Sequence, residues 1–264
     1  MYRRIIILVV IFLVCVSGQL SNNYIPKYTA KEILYKIDHY YKSNSKDSLR
    51  LFLDEWQKMI PPVSEENVNH NDTISNIYKV FIDLYKPSKF GNVETVSPFI
   101  NKNGFIVIQN NINYEVVSIK RFNNLKKSGY ASLSGKDFTS KQLIRFRPKL
   151  NIGHIKYLYL TSEYEKGISD FLGNIENSAM SEKEIMNRLA FIKTELPIVQ
   201  SHDGGNWYIE TFPIINKITF DSNFKHAFVK FRISMGNTVF AYPLTKTLGH
   251  WQPDKYKVLP MITE

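Results

Sequence analysis

Apolar residues recur at the three-to-four-residue spacing of an amphipathic helix in three successive segments near the start of the chain. The first segment follows Thr29, which has a glutamate three residues on, as a capping box requires. The second begins near residues 45–47 and ends at Pro61, since proline cannot continue a helix. The third opens at Thr73 and ends before Pro87. The pattern predicts three helices that bury their apolar faces against each other or on a sheet.

The apolar runs then become shorter and strand-like. Residues 105–108 and 114–119 are predicted to be strands separated by a turn at Asn110-Asn111. Residues 143–147 and 155–160 are further strand candidates.

Two more helices are predicted in the second half of the chain. One covers residues 164–172 and is closed by Gly173. The other is capped by Ser181 and ends before Pro197. The remaining segments alternate with turn residues and predict antiparallel strands over residues 198–201, 207–212, 214–220, 226–233, 238–244 and from 251 onward.

The C-terminal pattern resembles the curved terminal sheet of NTF2-like proteins. The resemblance rests on Gly205-x-Trp207, a long strand over residues 224–233, a Gly236-Asn237 turn and a final Gly249-x-Trp251. It covers about a quarter of the chain and implies helices packed into a bent sheet with a pocket. Because this style of fold hosts enzymes, binders and interaction modules, it implies no particular reaction.

These elements predict an α+β protein with N-terminal amphipathic helices and a curved, mainly antiparallel sheet. A signal peptide over residues 1–18 would precede an N-terminal α+β unit over residues 19–175. A C-terminal helix plus sheet would cover residues 176–264. The sequence is compatible with two NTF2-like-style units and with one continuous domain.

The first eighteen residues have the layout of a secretory signal. Arg3 and Arg4 precede an apolar run over residues 5–16, which is too short to span a bilayer core of roughly 20 helical residues. Cleavage after Gly18 would leave a chain without cysteine, exported to the periplasm or the cell exterior. Lipidation at Cys15 is the alternative, which we do not favour because bacterial lipoprotein signals normally have a small residue before the cysteine. No later segment is apolar enough to cross a membrane.

The composition indicates a folded protein with a hydrophobic core. The 264 residues are 44% hydrophobic and 14% aromatic, enough for a sizeable core, which argues against disorder. One cysteine excludes a disulfide-stapled mini-protein. The chain contains no Gly-x-Ser-x-Gly, phosphate-loop, Rossmann or zinc-protease motif, so no cofactor and no metal is predicted.

The net charge of +10 is concentrated in one stretch of the chain. Residues 120–149 hold nine cations and one acid, whereas the flanking segments of the mature chain are balanced. Two interpretations are open. The stretch is either a solvated loop neutralised by acids from elsewhere, as most charge runs are, or a surface that attracts anions. The candidate binding residues are Lys120, Arg121, Lys126, Lys127, Arg145, Arg147 and Lys149.

The last three of these cations alternate with Ile144 and Phe146, which on a strand would place the cations on one face. An anionic glycan, a lipid headgroup or an acidic protein would fit such a surface. Export and the lack of a nucleic-acid-binding motif argue against nucleic acid as the partner.

Three residues are catalytic candidates: His202, Asp203 and His250. Asp203 could hold the imidazole of His202, and His250 would join them if the two strands were neighbours. The alternative is a hairpin turn, because His202 to Trp207 consists largely of ordinary turn residues. Carboxylate pairs such as Glu210 with Asp221 could serve acid–base chemistry only at a suitable separation.

The sequence therefore predicts an exported cell-envelope protein that acts as a non-enzymatic binding or interaction module with a basic surface. The alternative is a hydrolase-like enzyme with a pocket in the C-terminal sheet. The absence of a catalytic motif favours the binding module.

Overall fold

The structure is a computed structural model that describes residues 27–64, 68, 72–85, 104–128, 140–153, 155–174, 180–200, 206–211, 214–232, 239–254 and 259–261. The predicted leader lies outside these residues. The described part is an α+β fold, as predicted, with six helices and eleven strands. The helices are α1 (Ala30–Lys42), α2 (Lys46–Met59), α3 (Asp72–Leu84), α4 (Ile119–Lys127), α5 (Ser162–Phe171) and α6 (Glu182–Ile192).

The strands form three sheets. They are β1 (Phe105–Gln109), β2 (Asn111–Val117), β3 (Lys141–Ile144), β4 (Lys156–Leu160), β5 (Ile198–Gln200), β6 (Trp207–Ile209), β7 (Ile214–Asp221), β8 (His226–Arg232), β9 (Val239–Thr247), β10 (His250–Pro253) and β11 (Leu259–Met261). Seven strands make the main sheet in the order β10-β9-β8-β7-β2-β3, with β11 paired to β9. Strands β1 and β4 pair in parallel, and β5 and β6 form an antiparallel pair.

The first helix begins at its predicted cap. The Thr29 hydroxyl accepts from the Glu32 N–H, and the Glu32 carboxylate accepts from the Thr29 N–H, so the capping box is complete. Ser45 caps α2 in the same way through the Ser48 N–H. At α6 the Ser181 hydroxyl accepts from the Glu184 N–H, as predicted. The Glu184 carboxylate accepts from Arg188, one helical turn further along α6.

The predicted hairpin at Asn110 is wrong. Strands β1 and β2 follow one another through a bend at this residue and do not pair with each other. The Asn110 side-chain amide donates to the Phe146 carbonyl, and the Phe146 N–H donates to the Asn110 carbonyl. Because these bonds reach a distant segment instead of closing a turn, the chain passes from the small parallel sheet into the main sheet.

The main sheet mixes segments from both halves of the chain. Strand β2 is antiparallel to β3 and parallel to β7, while the pairs β7–β8, β8–β9 and β9–β10 are antiparallel. Strands from either side of residue 175 therefore hydrogen-bond within one sheet.

The register divides the main sheet into an apolar and a more polar face. The apolar face packs into the main core and α3 packs against β10. It carries Ile112, Ile218, Phe220, Val229, Leu244 and Trp251. The other face carries Glu115, Thr219, Asp221, His226 and Thr245 beside Phe228. Polar and charged groups are thus aligned on the side of the sheet away from the main core.

Helices α1 and α5 cross at Gly167. A Cβ atom at this position would lie 2.7 Å from Ile33 Cγ2 and 2.8 Å from the Ala30 carbonyl oxygen. Nearby, the indole of Trp56 stacks on the Tyr164 ring with centroids 3.8 Å apart, and its Nε1 donates to the Tyr159 carbonyl. Close backbone approach therefore joins α1 to α5, and aromatic packing joins α2 to α5.

In the described part of the chain, each helix is too short or too polar to cross a bilayer.

Candidate binding surface

Helix α4 carries the first half of the basic stretch. Ser118 caps it by accepting from the Arg121 N–H, and only Phe122 and Leu125 are buried. The two buried side chains are one helical turn apart, which seats the helix by a narrow stripe. Its four cations are exposed, and its nine residues include no acid: they are Lys120, Arg121, Lys126 and Lys127, which we call the basic helix face.

Three of these cations lack an acidic partner within the described residues. None of the ion pairs there includes Lys120, Lys126 or Lys127. The solvated-loop interpretation requires such neutralisation, and the described carboxylates do not provide it at these positions. Positive charge therefore accumulates on the outer side of α4.

The second half of the basic stretch departs from the predicted strand. Strand β3 ends at Ile144, and Arg145 adopts a φ of 59°, in the left-handed region. Strand alternation is lost there, and consecutive residues Phe146 and Arg147 are both buried. The expectation that Arg145, Arg147 and Lys149 share one exposed face is therefore wrong.

Arg147 is instead buried and hydrogen-bonds two distant segments of the chain. Its Nη1 donates to the Pro61 carbonyl at 3.1 Å, and its backbone N–H donates to the Tyr78 hydroxyl at 3.2 Å. Burial raises the pKa of Tyr78, while the N–H and guanidinium of Arg147 oppose that shift. With an exposed fraction of 6%, Arg147 is not available to an external partner. Lys149 is exposed. The intervening residues 129–139, with Lys136, lie outside the described residues.

His250 is the only catalytic candidate that falls in the described part of the chain, since residues 201–205 lie outside it. Its Nδ1 lies 3.1 Å from Asp83 Oδ1, and the Trp251 N–H donates to Asp83 Oδ2 at 2.7 Å. The carboxylate thus ties the start of β10 to α3. Whether His202 and His250 converge stays a prediction.

A second imidazole–carboxylate pair lies on the polar face of the main sheet. His226 Nδ1 is 3.0 Å from Asp221 Oδ2, and Asp221 Oδ1 accepts from the N–H groups of Lys225 and His226. Asp221 therefore closes the turn between β7 and β8 and orients the imidazole. Glu210, the suggested carboxylate partner, follows β6 in a different sheet.

A buried carboxylate also belongs to this face. Glu115 Oε1 accepts from the Thr219 hydroxyl at 2.9 Å and lies 3.0 Å from Lys217 Nζ. The pair satisfies charges that would otherwise be costly to bury. In the described residues no group of three His, Cys, Asp or Glu side chains is placed to hold a metal ion.

Sequence reasoning missed that residues 119–127 form a helix. The signal was Ser118, a good N-cap, followed by Phe122 and Leu125 at helical spacing. It was weak because the segment is short and mostly polar. The contact of His250 with Asp83 joins residues 167 positions apart, and no local pattern indicates it.

No family model, curated protein or solved structure matches this chain. The assignment of function therefore depends on the geometry and charge of the chain itself.

Proposed function

We propose that the protein is an exported cell-envelope module that binds a polyanionic partner through the basic helix face of α4. The observation that supports this is the exposure of Lys120, Lys126 and Lys127 without an ion pair among the described residues. The proposed export, to the periplasm or cell exterior, rests on the signal-like layout of residues 1–18.

The four cations lie on one short helix. Its nine residues span about 14 Å, longer than the screening length of about 8 Å at physiological ionic strength, so the cations act together most strongly at low salt. A partner with many negative groups therefore meets several cations at once, whereas a single small anion meets one or two. An anionic glycan, an anionic lipid headgroup array and an acidic protein share this chemistry.

We also propose that the main sheet is a curved, NTF2-like sheet. A register shift between Ile215 and Lys217 supports a bend in β7, and the apolar face of the main sheet packs into the main core. The hydrolase-like alternative, with His202, Asp203 and His250, stays a prediction. We favour binding over catalysis because the described partner of His250 is a structural carboxylate that also holds the Trp251 N–H.

The test replaces Lys120, Lys126 and Lys127 by glutamine, which keeps length and helix propensity. At about 1 kcal/mol for each lysine near an anionic surface, the loss of all three should lower the affinity for heparin roughly a hundredfold at low salt. The wild-type affinity should itself fall steeply as salt is raised. The assay uses the chain from Gln19, the predicted exported form, on immobilised heparin across a salt series.

The matched control replaces three exposed lysines on other helices, Lys31, Lys58 and Lys183, by glutamine. This variant has the same net charge as the first and should retain most of the affinity. Equal losses in both variants would mean that net charge alone governs binding and would contradict a localised surface. Arg147 is left intact because its loss would test stability and not binding.

A further inference from the structure

The hairpin between β9 and β10 ends in an exposed leucine. Leu248 has 96% of its surface exposed, the largest value among the exposed large apolar residues that the structure describes. The loop has two residues, with φ of 51° at Leu248 and 85° at Gly249. Such turns favour Asn or Gly at both central positions, so a branched apolar side chain is an unusual occupant. Fold stability therefore does not account for this leucine.

The hairpin lies at the same edge of the main sheet as the start of α4. Strands β2 and β7 run in parallel and end together at Val117 and Asp221. Strand β8 begins opposite Asp221, and β9 leaves the sheet on the same side, toward Leu248. Three strand spacings separate β9 from β2, or about 14 Å. The hairpin tip, the β7–β8 turn and the first turn of α4 thus share one edge.

This edge combines exposed cations with exposed apolar groups. Lys120 and Arg121 are exposed in the first turn of α4, and Lys225 is exposed in the β7–β8 turn. Ile119, at the start of α4, is 43% exposed. We call Ile119, Lys120, Arg121, Lys225 and Leu248 the basic edge.

The described carboxylates that contact this edge are engaged in the fold. Asp221 is buried and accepts from the N–H groups of Lys225 and His226 while facing the His226 imidazole. Asp83 accepts from the Trp251 N–H and faces the His250 imidazole. The edge therefore presents positive charge outward.

We infer that the basic edge docks on the surface of an anionic lipid bilayer, with Leu248 inserted at the boundary between headgroups and acyl chains. The inference rests on the proposed function and names its partner. Cations next to a protruding apolar side chain match a bilayer, which offers anionic headgroups above an apolar interior. A glycan polyanion would use the cations alone and would leave Leu248 in water.

The test is Leu248→Asn in the chain from Gln19. Asparagine suits a left-handed turn position, so the variant should fold with a Tm equal to or above that of wild type. Affinity for vesicles of phosphatidylglycerol and phosphatidylcholine, measured by co-sedimentation, should fall about three- to tenfold because a partly buried leucine is lost. Retention on heparin should not change, because no charge is altered.

The matched control is Leu51→Asn, which removes a leucine that is 69% exposed on α2. It should leave vesicle affinity unchanged. Equal losses in the two leucine variants, or no loss in Leu248→Asn, would overturn insertion at the hairpin. Wild-type binding to heparin but not to vesicles would overturn the lipid partner and leave the proposed function standing. Failure to bind either would overturn both.

Insertion also has a direct readout. The only cysteine of the chain is Cys15, so the chain from Gln19 accepts a single label. An environment-sensitive dye on Leu248→Cys should shift to shorter emission wavelengths on anionic vesicles, and the same dye on Leu51→Cys should not. An unshifted dye at Leu248 on bound protein would contradict the inference.

Discussion

Gln109 continues the β-ladder across the bend between β1 and β2. Its Oε1 accepts from the Ile215 N–H at 2.6 Å, and its Nε2 donates to the carbonyls of Ile215 and Asn111. The side-chain amide thus does what a backbone peptide would do in an unbroken strand. Because Gln109 and Ile215 are buried, water cannot replace these bonds.

Replacing Gln109 by leucine should therefore destabilise the protein by about 3 kcal/mol, since a buried N–H and two carbonyls lose their partner. Urea denaturation followed by circular dichroism measures the effect. The control is Gln142→Leu on β3, where the side chain is exposed and the expected change is within about 0.5 kcal/mol. Similar midpoints for Gln109→Leu and wild type would show that the ladder does not need the amide.

At the scale of single elements, the sequence was most informative where an apolar stripe met a clear end signal. Helices α1 to α3 were predicted this way, and Thr29 was predicted as the cap of α1. Helix α4 was not predicted, because its apolar stripe consists of only Phe122 and Leu125. The strand predicted to expose Arg147 was wrong because the chain takes a positive φ at Arg145, after which Phe146 and Arg147 are both buried.

The candidate binding surface was predicted only in part, because the sequence shows charge but not exposure. The count of cations in residues 120–149 needs no structure, whereas their exposure does. Lys120, Lys126 and Lys127 are exposed and Arg147 is not, and the charge pattern alone does not distinguish them. The exposure of Leu248 likewise depends on the two-residue turn that carries it.

The crossing of α1 and α5 sets a prediction for Gly167. A glycine in a helix interior usually costs about 1 kcal/mol relative to alanine. Here Gly167→Ala should instead destabilise by about 2 kcal/mol, because the added methyl group would meet the Ala30 carbonyl, which cannot move without shifting α1. Urea denaturation gives the sign directly.

Gly153→Ala is the comparison for this variant. Its Cβ would meet no atom within 4 Å, although its φ of 65° disfavours alanine by about 1 kcal/mol. A stabilised Gly167→Ala protein would mean that the two helices do not approach as closely as described.

On the scale of the whole molecule, buried tyrosines couple stability to alkaline pH. Burial raises the pKa of Tyr78 and raises the pKa values of Tyr85 and Tyr159 well above the usual range. The unfolded chain releases these protons near pH 10, and the folded protein retains them. Their stabilising contribution is therefore complete below about pH 10 and is lost as the pH rises further.

A fraction of the tyrosines should accordingly ionise only as the protein unfolds. Phenolate absorbance and circular dichroism, followed together above pH 10, should show a shared transition for this fraction. Tyr159→Phe removes a bond to the Pro148 carbonyl and should cost about 1 kcal/mol at neutral pH. It should also make stability fall less steeply above pH 10, because one linked proton is absent. An unchanged slope would contradict this linkage.

The parallel pairing of β2 with β7 has a consequence during synthesis. Its partners are separated by roughly a hundred residues, so β2 leaves the ribosome long before the strand that completes its hydrogen bonds. Until β7 is made, the nascent chain carries an open strand edge beside the apolar side chain of Ile112. The growing chain must therefore keep this edge from pairing with other chains until residues 214–221 have emerged.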